Sequence, residues 1–198
     1  PKIAIALNNL AALLRAMGRM ADAEPLYRRA LAIDEKNLGP AHPSVAISLN
    51  NLAAVLHDLG HLREATTLFQ RSLEINEAAF GPAHPTVATD LNNLAVLLRS
   101  LREFDQAEAL YRRSMAINES AFGPEHPDVA TDLANLAMLL CSMDRQSEAA
   151  PLAHLAFIIA LASARRTGRP APCTRVVGET YRGILKELGW SDDELEGM

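Results

Sequence analysis

Cysteine, aromatic side chains and excess positive charge are all scarce in this 198-residue sequence. Its two cysteines, Cys141 and Cys173, have neither the spacing of a metal site nor the density of a secreted disulfide scaffold. They read as free thiols of a reducing, cytoplasmic compartment. A formal net charge of −5 removes the usual basis for binding nucleic acid, which is a basic face. The opening "PKIAIALNNL" lacks a charged leader followed by an apolar block, so no signal peptide is read there. The longest nearly uncharged apolar run, 152–164, is too short to cross a bilayer, and no membrane partner is expected. Chemical machinery is equally thin. There is no Gly-rich phosphate loop, no His-Glu-x-x-His, no serine elbow between glycines and no base beside Cys141 in sequence. The expectation is a non-enzyme with no catalytic residue, metal or cofactor.

What the chain does hold is Ala, Leu and repetition. Apolar residues make up 49%, and Val, Ile and Thr are sparse beside Ala and Leu, which favours helix over strand. "LGPAHPSVAISLNNLAAVL" from Leu38 returns as "FGPAHPTVATDLNNLAVLL" from Phe80 and "FGPEHPDVATDLANLAMLL" from Phe122, a period of 42 residues. Leu7, Leu49, Leu91 and Leu133 keep that period, as do Asn9, Asn51, Asn93 and Asn135. Pro1 falls on the His-Pro proline of the repeat, which suggests a fragment of a longer polypeptide.

Each copy contains two runs with helical spacing, such as Val87, Leu91, Leu94, Ala95 and Leu98, then Ala107, Leu110, Tyr111, Ser114 and Met115. The break between runs is short and carries Gly18 or Gly60 in the first two copies, where positive φ closes a helix. Each copy is therefore an antiparallel pair of helices of about 16 residues, roughly 24 Å long. In the link "FGPEHPD", Gly ends one helix and the second Pro pre-sets φ for the next. His42, His84 and His126 precede those prolines and read as loop fasteners bonded to backbone. Stacked pairs hold them at least roughly 8–10 Å apart, too far to converge on one ion.

These residues resemble the tetratricopeptide repeat. The second copy supplies Leu49, Leu52, Ala53, Leu56, Gly60, Ala65, Phe69 and Ser72, and the third Leu91, Leu94, Ala95, Leu98, Ala107, Tyr111 and Ser114. The 42-residue period with "GPxHPxVAxxLNNLA" is similar to the kinesin-light-chain subtype, which also occurs in bacterial signalling proteins. The resemblance covers residues 1 to about 160. It implies an all-α fold, a right-handed superhelical solenoid of antiparallel helix pairs. About four pairs are expected, at 1–39, 40–81, 82–123 and 124–164, then a Gly/Pro linker at 165–172 and a capping helix with an acidic tail at 173–198.

The fourth copy departs from the pattern. "YRRSMAIN" becomes "AHLAFIIA", so a helix apolar all round needs covering. The cap is expected in "CTRVVGETYRGILKEL", with Val177, Tyr181, Ile184, Leu185 and Leu188 on one side, as a degenerate fifth first helix with three extra residues before it. Two outcomes stay open here: the cap covers 152–161, or that segment stays exposed and pairs two chains.

In the family the first helix of every pair lines a concave face. That places Asn8 with Arg15, Asn50 with His57, and Asn92 with Arg99 on one stripe, each pair seven residues apart. An asparagine can donate to and accept from a peptide backbone, and Arg15 and Arg99 can hold a carboxylate. The expected partner is an extended peptide segment in this groove, with an acidic motif favoured by the arginines. The second asparagine of each pair, rotated by about 100°, is expected to bond to neighbouring helix backbone instead. The competing reading is a regulatory or self-assembly arm of a larger multidomain signalling protein.

Overall fold

The computed structural model describes residues 2–168 and 174–189. Among them nine helices form and no strand does. In order they are α1 (Lys2–Ala16), α2 (Met20–Leu38), α3 (Pro43–Asp58), α4 (Leu62–Phe80), α5 (Pro85–Ser100), α6 (Phe104–Phe122), α7 (Pro127–Ser142), α8 (Gln146–Thr167) and α9 (Thr174–Glu187). Two compact units result, residues 1–102 with α1–α5 and 103–198 with α6–α9. In the first, each helix packs on the next, and α3 also flanks both α1 and α5. In the second, α6 packs on α7, α7 on α8 and α8 on α9, with α7 also flanking α9.

Local chemistry explains where helices begin. His42, His84 and His126 sit at the N-caps of α3, α5 and α7, where Nδ1 accepts from the backbone N–H of Ser44, Thr86 and Asp128 at 3.1, 3.2 and 3.3 Å. One otherwise orphaned donor of the first turn is satisfied each time. Phe80 stacks on His84 and Phe122 on His126, at ring-centroid distances of 4.8 and 4.4 Å. The histidines are fasteners, as their position before proline implies. At the breaks between helices, Gly18 (φ 76°) and Gly60 (φ 81°) are followed in the later copies by Arg102 (φ 63°) and Asp144 (φ 58°). The left-handed conformation is kept where glycine is not, at a steric cost.

Alanines set the packing distance. Ala23 and Ala65 in the first unit, and Ala107 and Ala149 in the second, occupy one register position and are all fully buried. Larger apolar side chains fill the space beside them, as Leu31 and Leu68 do around Val45, Leu49 and Ile75. Burial depends on a neighbour as well as on pattern. Val45, Leu52 and Val55 are at most 1% exposed, whereas Ile3, Leu10 and Leu13, one period earlier in α1, are 63%, 48% and 58% exposed.

The expected cap forms. α9 lays Val177, Ile184 and Leu185 inward, while Leu188 stays 44% exposed. Val177 joins Val129, Leu133, Ala156, Ile159 and Ala160 in one apolar cluster, with Phe157 against it. α9 covers one side of 152–161, while Leu155 and Ile158 on the opposite side of α8 remain exposed. α8 corrects the expected linker boundary: it runs through Thr167, so 165–167 are helical. At 22 residues it is long and apolar enough to cross a bilayer, unlike the shorter run read from sequence. Its alanine face, however, is buried against protein. Pro1, Cys173, Trp190 and the acidic tail fall outside the described residues.

Candidate functional site

The first helices α1, α3 and α5 carry the residues expected to form the ligand stripe, and most of them bond to a neighbouring first helix. Asn8 Nδ2 donates to Ser48 Oγ of α3 at 3.1 Å. Asn50 Nδ2 likewise donates to Asp90 Oδ1 of α5. Their Oδ1 atoms are buried without a partner among the described residues. Arg15 Nε donates to Asp58 Oδ2 at 2.7 Å, and His57 Nε2 lies 2.9 Å from Ser100 Oγ. Neighbouring first helices are thus cross-linked by polar pairs along the stripe. Asn92 is half-buried and engaged, and Arg99 has no side-chain partner among the described residues.

Asp90 explains Asn50. It is 0% exposed and accepts from Asn50, from Ser72 Oγ at 3.1 Å and from Asn76 Nδ2 at 2.6 Å. Burial raises its pKa, and the three donors only partly offset that. In the second unit Asp132 is equally buried and accepts from Ser114 Oγ at 2.8 Å and Asn118 Nδ2 at 2.7 Å. Burial pushes it to about 6, the donors pull back, and the charges of Asp128 and Glu119 add to the rise. The first copy has the same pairing with the residues exchanged: Ser48 occupies the acid's register and donates to Asp34 Oδ2 at 2.8 Å. Sequence reasoning missed this acid, although the exchange of Asp34–Ser48 for Asn76–Asp90 and Asn118–Asp132 was visible within the chain. At the cap the network gives way to Ala156, Ala160 and Val177, all buried.

The second asparagine column reverses its expected role. No hydrogen bond engages the side chains of Asn9, Asn51 or Asn93 among the described residues, so the expected bonds to helix backbone do not form at these three positions; Asn135 is engaged. Asn9 is exposed, and Asn51 and Asn93 are half-buried. Asn51 opens on a hollow of about 390 Å³ shared with Ala12, Arg15, Ala16, Tyr27 and Asp58. The reversal has a physical reason. Two adjacent residues point about 100° apart on a helix, and the one facing the neighbouring helix's Asp or Ser is captured by it.

Among the described residues, no group of three or more His, Cys, Asp or Glu is placed to hold a metal ion. Burial and the nearby Glu187 carboxylate push the Cys141 thiol up to about 11, which keeps it protonated and poorly nucleophilic. Outside the stripe, ion pairs join second helices. Arg28 forms a two-pronged pair with Glu64 at 2.7 and 3.0 Å and also holds Glu24, while in the second unit Arg145 reaches Glu108 at 2.9 Å.

Tetratricopeptide-repeat sequence models match residues 2–78, 62–120 and 86–154. The chain belongs to the tetratricopeptide-repeat family. Tetratricopeptide repeats are protein-interaction scaffolds, and the family is generally non-catalytic. No curated protein matches this chain in sequence. Among solved structures it is similar to a putative kinesin light chain of nearly identical TPR-like repeats from Podosopora anserina, with TM-score 0.73 and 22% identity over 96% of this chain and 89% of that one. It is also similar to BtubC (BKLC) from P. vanneervenii, with TM-score 0.74 and 24% identity over 96% and 73%. The apo form of RapI gives TM-score 0.76 and 18% identity over 98% and 65%. In this tetratricopeptide-repeat chain, Asn8 joins α1 to α3 and Asn50 joins α3 to α5, while the side chains of Asn9, Asn51 and Asn93 have no hydrogen-bond partner among the described residues.

Proposed function

We propose that the first-helix face of residues 1–102 binds an extended peptide segment of a protein partner, with Asn51 and Asn93 contacting the peptide backbone. The observation that carries this reading is two half-buried carboxamides, one period apart, with no partner among the described residues. A carboxamide presents both a donor and an acceptor, which matches the alternating groups of an extended main chain. Asn8 and Asn50 support the face by fixing the spacing of its helices. Asn92, His57 and Arg15 complete its polar rim.

Charge sets what kind of segment fits. Arg15 is neutralised by Asp58, so the first junction offers little to an anion. Arg99 holds the uncommitted positive charge of the stripe and selects an acidic side chain at that end only. The partner segment is thus mostly uncharged, with one acidic residue placed near Arg99. A flexible segment loses conformational entropy on docking, so affinity is modest.

Selection of a random peptide library on the immobilised protein tests the reading. Selected peptides are expected to lose about tenfold or more in affinity to the Asn51→Ala/Asn93→Ala double variant, the equivalent of two net hydrogen bonds. Recovery of no peptide, or unchanged affinity in the double variant, contradicts it.

A further inference from the structure

The hollow between α1, α2 and α3 has a composition that the rest of the first unit does not repeat. Tyr27 on α2 is only 2% exposed, yet its hydroxyl makes no hydrogen bond among the described residues, and the side chain lines the hollow. The hydroxyl is not among the fully buried polar atoms, so it is reached from the hollow and can donate to or accept from a guest in place of water. Around it stand the unpartnered Asn51 carboxamide, the Arg15 guanidinium and the Asp58 carboxylate, with Ala12 and Ala16 leaving room. Arg15 uses Nε on Asp58, so its terminal nitrogens still have donors to offer.

One period later the corresponding positions hold His57 for Arg15, Phe69 for Tyr27 and Ser100 for Asp58. Only the asparagine recurs, as Asn93. The hydroxyl, the cation and the anion therefore occur together at the first junction alone within this unit.

We propose that this hollow is a binding site for a neutral carboxamide, held by Tyr27, Arg15, Asn51 and Asp58 together. The inference deepens the peptide-groove reading and rests on it. Donors come from Tyr27, Arg15 and Asn51 and meet the guest's carbonyl; acceptors on Asp58 and Asn51 meet its N–H. A carboxylate guest faces the Asp58 charge, and an ammonium guest faces Arg15, so each ion meets a repelling group that an amide does not. The amide belongs either to a Gln or Asn side chain or to the peptide main chain.

Capped pentapeptides Ac-Ala-Ala-Xaa-Ala-Ala-NH2, with Xaa as Gln, Glu, Lys or Leu, are titrated into nitrogen-15-labelled protein. The Gln peptide is expected to move the Asn51 side-chain and Arg15 Nε–H signals. Tyr27→Phe is expected to weaken it roughly three- to tenfold, the loss of one hydrogen bond. The variant keeps the fold, because the second copy already carries Phe69 in that position. Movement with Gln alone assigns a side-chain carboxamide; equal movement with all four assigns the main chain, and both support the site. Tighter binding of the Glu or Lys peptide, or no effect of Tyr27→Phe, overturns it. Silence at Asn51 and Arg15 with every peptide also overturns it. In that case, movement at Asn93 and Arg99 retains the wider groove, and silence there too removes both proposals.

Discussion

Burial at a given register position depends on what packs against it, and single residues show this most directly. Leu10 and Leu52 stand one period apart, yet the first is 48% exposed and the second 1%. Leu52→Ala is expected to cost about 2–5 kcal/mol in chemical denaturation, and Leu10→Ala about 0.5 kcal/mol or less. Asp132 gives a second residue-scale test. Its carboxyl titrates near 3.8 when unfolded and at about 6 when folded, so the native state holds the extra proton between those values. Stability contributed by this group is present at acid pH and falls as pH rises across that window, by up to roughly 3 kcal/mol. Glu64 and Glu108, held below their ordinary 4.5 first by hydrogen bonds from Arg28 and Arg112, act in the opposite sense and at lower pH. Relative to Asp132→Asn, the protein should therefore melt higher at pH ~5 than at pH ~7; no difference, or the reverse, contradicts the buried-acid account. The histidine caps were legible because a His-Pro before an apolar run has few other uses. The buried acids were not, since "TDLNN" and "TDLAN" read equally well as solvated helix faces until the neighbouring Asn and Ser are placed.

At the scale of elements, helix pairs, breaks and the cap follow from period and punctuation. Four consecutive breaks keep positive φ while glycine occupies only the first two, so the turn geometry is imposed by packing. Asp144→Gly is expected to stabilise the second unit by roughly 0.5–1 kcal/mol, read as a raised melting temperature. A neutral or lowered value would mean that the aspartate contributes something glycine cannot. The loss of the Asp–Asn–Ser network at α9 was written in the sequence as Ala156, Ala160 and Val177. The three-residue offset of Val177 showed itself only once α9 was seated. α8 ends later than its Gly/Pro-rich sequel suggests because Arg165 to Thr167 all accept helix, and Gly168 at φ 67° closes it. Val177→Asp should strip the cap from α8, costing about 3 kcal/mol or more. Sedimentation should then show self-association that the unaltered protein lacks at the same concentration. A monomeric variant would mean that Leu155 and Ile158, with the uncovered alanines, do not suffice to pair two chains.

For the whole molecule, repetition with selective loss is the informative pattern. Asn8 and Asn50 each join neighbouring first helices in the first unit, and beside them Asn9 and Asn51 have no side-chain partner among the described residues. Which asparagine does which job was not readable from spacing, because the difference lies in a neighbouring helix's acid. The most direct measurement is a double dissociation between the columns, recording melting temperature and peptide capture for Asn50→Ala and for Asn51→Ala/Asn93→Ala. Removing the donor to Asp90 should destabilise the protein by about 1–3 kcal/mol while selected peptides still bind to the fraction that remains folded. The double variant should melt like the unaltered protein and lose the peptides. Capture that survives in the double variant and vanishes in folded Asn50→Ala would contradict the account.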